Sequence, residues 1–213
     1  MEFGKDFTYR EYIADGVVHG FGVFAALIGA AALIYWALGD APMGYLPPML
    51  AYGAGLIASF TLSAAYNMTL HKSARRVLRR FDHAAIYLMI AGTYTPIALI
   101  GIGGTNGIAL AAGAWTLALI GVTLKLFFFR RFERLSFMLT LMQGWMAVLM
   151  IGPLIAVFSP VVLVLLVGGG VLFTLGIVFH LGDHLPFNRA IWHAHVLLGA
   201  AAHYAAVVMV AGF

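Results

Sequence analysis

AAIYLMIAGTYTPIALIGIGGTNGIALAAGAWTLALIGVTL, residues 84–124, carries no charged side chain. About 20 apolar residues in a helix cross a hydrocarbon core of roughly 30 Å, so this run is long enough to cross twice. Gly103-Gly104-Thr105-Asn106-Gly107 interrupts it with turn residues. The stretch therefore reads as two membrane spans, the first from Ala84 to about Ile102 and the second ending at Leu124, joined by a tight turn.

Outward from there, the same rule finds five more spans. Ser159 and Pro160 split the uncharged run from Leu135 to Gly182 in two. The chain's first span runs from about Gly16 to Leu38, its second from about Pro48 to Leu70, and its seventh from Ala190 to Phe213. With 63% hydrophobic and 9% charged residues and a mean hydropathy of +0.98, the composition excludes an ordinary soluble domain. Lipid offers the backbone no hydrogen bonds, so spans of this length are helices. The expected architecture is all-α, a single polytopic membrane domain over residues 1–213 built as a seven-transmembrane helix bundle. The absence of Cys excludes a disulfide framework, a thiolate nucleophile and a Cys-ligated metal. The mixed-charge segment before the first span precedes an apolar run longer than a signal-peptide core, and is read as retained.

The twelve Lys and Arg residues support both the span count and a direction. Lys5 and Arg10 precede span one; Lys72, Arg75, Arg76, Arg79 and Arg80 lie between spans two and three; Lys125, Arg130, Arg131 and Arg134 lie between four and five; Arg189 precedes span seven. The alternate loops, around Asp40, Thr105 and Ser159, have none. By the positive-inside rule the N-terminus is cytoplasmic and the C-terminus outside, which places the chain in the cytoplasmic (inner) membrane as a multi-pass protein. The basic excess is thus topological and suits an anionic inner leaflet, with no nucleic-acid partner required.

Small residues mark the closest packing. Ala51, Gly55, Ser59 and Ser63 recur every fourth residue along span two, and Asn67 continues the series. Pro96 should kink span three, with Thr93 or a neighbouring helix satisfying the freed carbonyl, and Pro153 should act likewise in span five. Ionisable groups inside spans cost roughly 2.5–3.5 kcal/mol each, so those present should face the bundle interior. Asp82, His83, His19, His180, His193, Ser63 and Asn67 all fall near the cytoplasmic boundary. Each has an ordinary reading: Asp82 as an ion-pair partner of Arg79 or Arg80, His83 as an interfacial residue, His19 as an interhelical hydrogen-bonding group, Ser63 as a packing residue. His195 lies about 200° around the helix from His193 and faces away, and His203 lies roughly 15 Å deeper, with Gln143 or Tyr94 as expected partners.

Leu62-Ser63-Ala64-Ala65-Tyr66, Arg79-Arg80-Phe81-Asp82-His83-Ala84-Ala85-Ile86-Tyr87, Ala91-Gly92-Thr93-Tyr94-Thr95-Pro96 and Leu185-Pro186-Phe187-Asn188-Arg189-Ala190-Ile191-Trp192-His193 resemble the haemolysin III family. That family is the bacterial branch of the progestin and adipoQ receptor superfamily, and the resemblance covers essentially all seven spans. It implies a zinc site near the cytoplasmic face, built from the His of S-x-x-x-H on span two and both His of H-x-x-x-H on span seven, with an Asp on span three holding a metal-bound water. It also implies hydrolysis of a lipid amide or a part in membrane-lipid homeostasis, and the family's name refers to cytolysis. Here the S-x-x-x-H position ends in Asn67 and the first His of H-x-x-x-H is Arg189; Ser63, Asp82 and His193 match the pattern.

Three expectations stand side by side. A zinc-free pocket would bind a lipid headgroup through Asn67, Arg189 and His83, with Asp82 paired to Arg189. A rebuilt zinc hydrolase would use Asp82 and Ser63 in catalysis and His193, with His180 or His83, as metal ligands. A channel or transporter would line its path with His203, Gln143 and Tyr94. Membrane lipids are the expected partners.

Overall fold

Thr8 opens the first helix with a reciprocal cap, its hydroxyl accepting from the Glu11 N–H while the Glu11 carboxylate accepts from the Thr8 N–H at 2.9 Å. From that cap a computed structural model follows the chain through residues 8–129, 131–182 and 184–213. Lys5 and Arg130, two of the bases used above, lie outside the described residues.

The helices are α1 (Tyr9–Gly39), α2 (Leu46–Met68), α3 (Lys72–Pro96), α4 (Gly104–Phe127), α5 (Glu133–Trp145), α6 (Ile151–Val157), α7 (Pro160–Leu181) and α8 (Asn188–Ala211). Seven continuous spans result, because a π-helical segment at Ile97–Ile102 extends α3 and a 3-10 segment at Met146–Met150 joins α5 to α6. The fold is an all-helical seven-span bundle, and the chain is a multi-pass membrane protein. The expected turn between spans three and four is made by Gly103 (φ 65°) and Gly104 (φ 54°), backbone angles that a side chain disfavours. The basic segment after span two is no loop: α3 begins at Lys72, so most of those charges ride on its first turns.

Each sequential pair α1–α2, α2–α3, α3–α4 and α7–α8 packs along its length, and α8 closes the ring by also contacting α1. The α2–α3 seam brings backbone against backbone, as the small-residue series implied. A Cβ on Gly55 would sit 2.8 Å from the Leu88 carbonyl, and one on Gly92 would sit 2.9 Å from that of Ala51. Leu33, Met49, Tyr52 and Leu56 fill the space between α1 and α2, while Tyr87, Ala91, Ala114 and Ala118 form a second core between α3 and α4.

Both proline expectations hold in kind and differ in detail. Pro96 ends the regular helix and the ladder widens to a π-turn beyond it. The Thr93 hydroxyl, however, donates to Met89 O at 2.8 Å, the usual one-turn-back bond, so it does not serve the carbonyl opposite the proline. In span five the break precedes Pro153 as the 3-10 turn, and a side chain from another helix stitches it: the Tyr94 hydroxyl donates to Gly144 O at 3.0 Å and accepts from Ala147 N–H at 2.9 Å.

Candidate polar site at one end of the bundle

Asp15 and His19 are one helical turn apart on α1 and nearly inaccessible, at 2% and 4% exposure. A carboxylate so deep in a membrane bundle requires partners. It has three. His193 on α8 brings Nδ1 to 2.5 Å from Asp15 Oδ1, so the ring proton lies on Nδ1 and Nε2 is left as an acceptor when the imidazole is neutral. Arg189, one turn before His193, places Nη2 3.1 Å from Asp15 Oδ2. His19 Nε2 lies 3.7 Å from Oδ1, beyond hydrogen-bond distance, and finds no other hydrogen-bond partner. The His19 and His193 rings stand 4.3 Å apart between centroids.

The second helix joins through Asn67, which is 5% exposed. Its Nδ2 donates to Ser63 O at 3.0 Å, and its Oδ1 accepts from Arg189 Nη2 at 2.5 Å. Ser63 turns its hydroxyl to the Asp82 carboxyl on α3, and Asp82 lies within electrostatic reach of His193 and Arg189. Four helices thus contribute to one cluster, and the surrounding backbone fixes it. Tyr12 Oη donates to Met68 O at 2.8 Å, tying α1 to the end of α2, and Phe187 N–H donates to Glu11 Oε1 at 3.0 Å, tying the α7–α8 connection to α1. Phe187 adopts φ 56°, so this connection is held in a left-handed turn that a β-carbon resists.

Toward the aqueous end, Asp15, Asn188 and Arg189 border a space of about 10 Å³. That is roughly the room for one water. Beyond it, Thr8–Glu11 and Pro186–Phe187 line an open cleft of about 560 Å³.

Ser63, Asn67, Asp82, Arg189 and His193, named from the sequence, come together here. His83 and His180 do not join them. His83 points to the α4–α5 connection with its ring 5.5 Å from Phe129, because a step of one residue from Asp82 turns it away from the cluster. His180 stacks near Trp192 at 5.2 Å, the α8 residue next to His193 and on a different face. The carboxylate that meets Arg189 is Asp15 where Asp82 was expected. His195 faces Phe179 at 5.2 Å, away from His193. Arg79 pairs with Glu133 at 3.9 Å and stays within electrostatic reach of Asp82, while Arg80 donates to Leu126 O at 3.3 Å.

The groups expected to line a channel serve separate helix contacts. His203 Nε2 bonds Leu166 O on α7 at 3.0 Å, and Gln143 donates to Tyr87 O at 3.2 Å and Ala114 O at 3.0 Å. With Tyr94 spent on span five, these three form no shared path.

Asp15 is the residue that sequence reading passed over, since the first span was started just after it. The signal was available: Asp15 and His19 are spaced i, i+4, which puts both on one face of the same helix. Asp15, His19 and His193 each offer one ligand atom, and these lie within 4.8 Å of one another, the proximity of a metal-ligand group. The residues that stand at the resemblance's zinc positions fit the ion poorly. Asn67 presents an amide already bonded to Arg189, and Arg189 carries a permanent positive charge into the cluster.

Comparison with known proteins gives a consistent family. The model of the family described as "Haemolysin-III related" matches residues 7–204. The chain is 36% identical to "Hemolysin-3 homolog" of Bacillus subtilis (strain 168), over 95% of each protein. It is likewise 36% identical to "Hemolysin-3" of Bacillus cereus, over 90% of this chain and 88% of the relative. "Monocyte to macrophage differentiation factor" of Homo sapiens is 27% identical over 94% of this chain and 84% of that protein.

Proposed function

We propose, from the premise that this chain belongs to the haemolysin III family, that its polar cluster binds the headgroup of a membrane lipid and works without a resident metal ion. The observation carrying this reading is the Arg189 guanidinium, held between Asp15 Oδ2 at 3.1 Å and Asn67 Oδ1. A divalent ion about 5 Å from a fixed guanidinium would meet a repulsion of about 6–7 kcal/mol at an effective dielectric of 20. The arginine supplies the positive charge that the carboxylate needs. A headgroup would enter by the cleft between α1 and the α7–α8 connection and meet Arg189 and Asn188 at its base. Elemental analysis of detergent-purified protein should find less than about 0.1 zinc per chain, and chelator should leave the unfolding temperature unchanged. Stoichiometric zinc would overturn the reading.

A second reading is favoured by the unpartnered His19 Nε2. In it Asp15, His19 and His193 hold a transition metal, and Arg189, 3.1 Å from the outer carboxylate oxygen, fixes that carboxylate's orientation. Zinc so held would lower the pKa of a bound water toward 7 and so supply a hydrolytic nucleophile for a lipid amide. The same elemental analysis separates the two, since only this reading survives a chelator-sensitive metal content of one per chain.

A cytoplasmic position for the cluster is supported by the Lys and Arg side chains among the described residues, which lie at the end of the bundle where α1 and α8 begin. Because the chain has no Cys, single substitutions report sidedness cleanly. A membrane-impermeant maleimide is expected to label Thr105→Cys in intact cells and Ser73→Cys only after lysis; the reverse pattern would invert the orientation.

A further inference from the structure

Positive-inside segregation requires bases in alternate loops, but it does not require them to crowd one side of the bundle. Here they do. Lys72, Arg76, Arg80, Arg131 and Arg134 are exposed, and all belong to the first turns of α3, to the connection from α4 to α5 or to the first turn of α5. On the opposite side, α1 adds Arg10 and α8 turns Arg189 inward to Asp15. The two basic segments form one rim: Arg80 Nη1 donates to Leu126 O at 3.3 Å, and Arg79 approaches Glu133 at 3.9 Å. Glu133 is the one acidic side chain in either segment outside the interior Asp82.

Aromatic rings are set among these charges. Phe127 is 74% exposed and Phe128 is 44% exposed, while the Arg131 guanidinium lies 5.6 Å from the Phe132 ring. Arg79 and Lys125 flank Phe129 at 5.2 and 5.7 Å. Exposed rings at a helix end belong at headgroup depth, where their apolar faces enter the acyl boundary. They hold the adjacent guanidiniums at the level of lipid phosphates, and a guanidinium fork matches phosphate oxygens in two-point contact.

We infer that the α3 start and the α4–α5 connection form a docking rim for anionic phospholipid, separate from the buried cluster and independent of what that cluster binds. A soluble acidic partner would leave the exposed phenylalanines uncovered, whereas an anionic bilayer surface matches both the charge and the apolar rings.

The test is native mass spectrometry of the purified chain titrated with phosphatidylglycerol or phosphatidylcholine. The wild type should retain phosphatidylglycerol preferentially. The triple variant Arg76→Gln, Arg131→Gln, Arg134→Gln should lose that preference by roughly tenfold or more, since each base near an anionic surface contributes several-fold. Enough bases remain in both segments to hold the orientation, and the three substituted groups are exposed, so the unfolding temperature should stay within a few degrees. Arg10→Gln, on the far side, should retain the wild-type preference. Equal retention of both lipids by the wild type would overturn the inference, as would undiminished preference in the triple variant. Displacement of the lipid by about 10 mM inorganic phosphate would assign the rim to free anions instead.

Discussion

On the metal-free reading, Asn67→His combined with Arg189→His is expected to give the protein a zinc affinity that the wild type lacks. Residues 189 and 193 are one turn apart on α8, residue 67 faces them from α2, and the Asp15 carboxylate already reaches both α8 positions. Removing the guanidinium takes away the fixed positive charge, and two imidazoles bring the His set to a number that holds zinc. Zinc at a thousand times its dissociation constant would then stabilise the double variant by about 4 kcal/mol. The readouts are metal content after dialysis and the unfolding temperature with zinc against chelator. Neither single variant should respond as strongly, because Arg189 repels the ion in one and Asn67 withholds a ligand in the other. If the double variant takes up no more zinc than the wild type, the idea that the Arg189 contact occupies a metal position fails.

Asp15→Ala should be the most damaging single substitution in the cluster. The carboxylate is 2% exposed and is the counter-charge for Arg189 and the hydrogen-bond acceptor for His193. Its removal leaves the half-buried Arg189 with Asn67 but without its counter-charge, and breaking a buried pair from one side typically costs about 3–5 kcal/mol. Asp15→Leu together with Arg189→Met should recover most of that loss, since removing both charges leaves neither uncompensated. Thermal unfolding of Asp15→Leu, Arg189→Met and the pair gives the coupling directly. Strictly additive losses, or a loss below about 1 kcal/mol for Asp15→Ala, would show that the contact contributes little to stability.

The number of spans and their turns were legible because they depend on local composition: an uncharged run, a Gly-rich interruption, a Ser-Pro break. The helix ends were less so. α1 and α3 start well before their apolar stretches, since amphipathic and capped turns continue a helix past the hydrocarbon, and this carried Asp15 inside the bundle when composition alone left it outside. The membership of the site follows the same division. Ser63, Asn67, Asp82 and His193 were legible as polar groups near one end of their spans, and Arg189 through the resemblance to haemolysin III motifs. That α1 lies against α8, and so brings Asp15 and His19 to Arg189 and His193, is a property of ring closure. No periodicity within one helix encodes which helices adjoin, and for the same reason His83 and His180, close in sequence to site residues, were assigned to a pocket their helix faces do not reach.

Span five touches α7 only lightly, and its interrupted helix is fastened to α3 and α4, by Tyr94 and Tyr87 of α3 and by Gln143, which bonds both neighbours. The ring of helices is therefore weakest at the seam between span five and α7, where Trp145 Nε1 donates to Thr174 Oγ1 at 3.1 Å and little else bridges the two. A bilayer thinner or thicker than the spans would be accommodated by pivoting at that seam. The helices that frame the carboxylate and its imidazoles would keep their spacing in membranes of differing thickness.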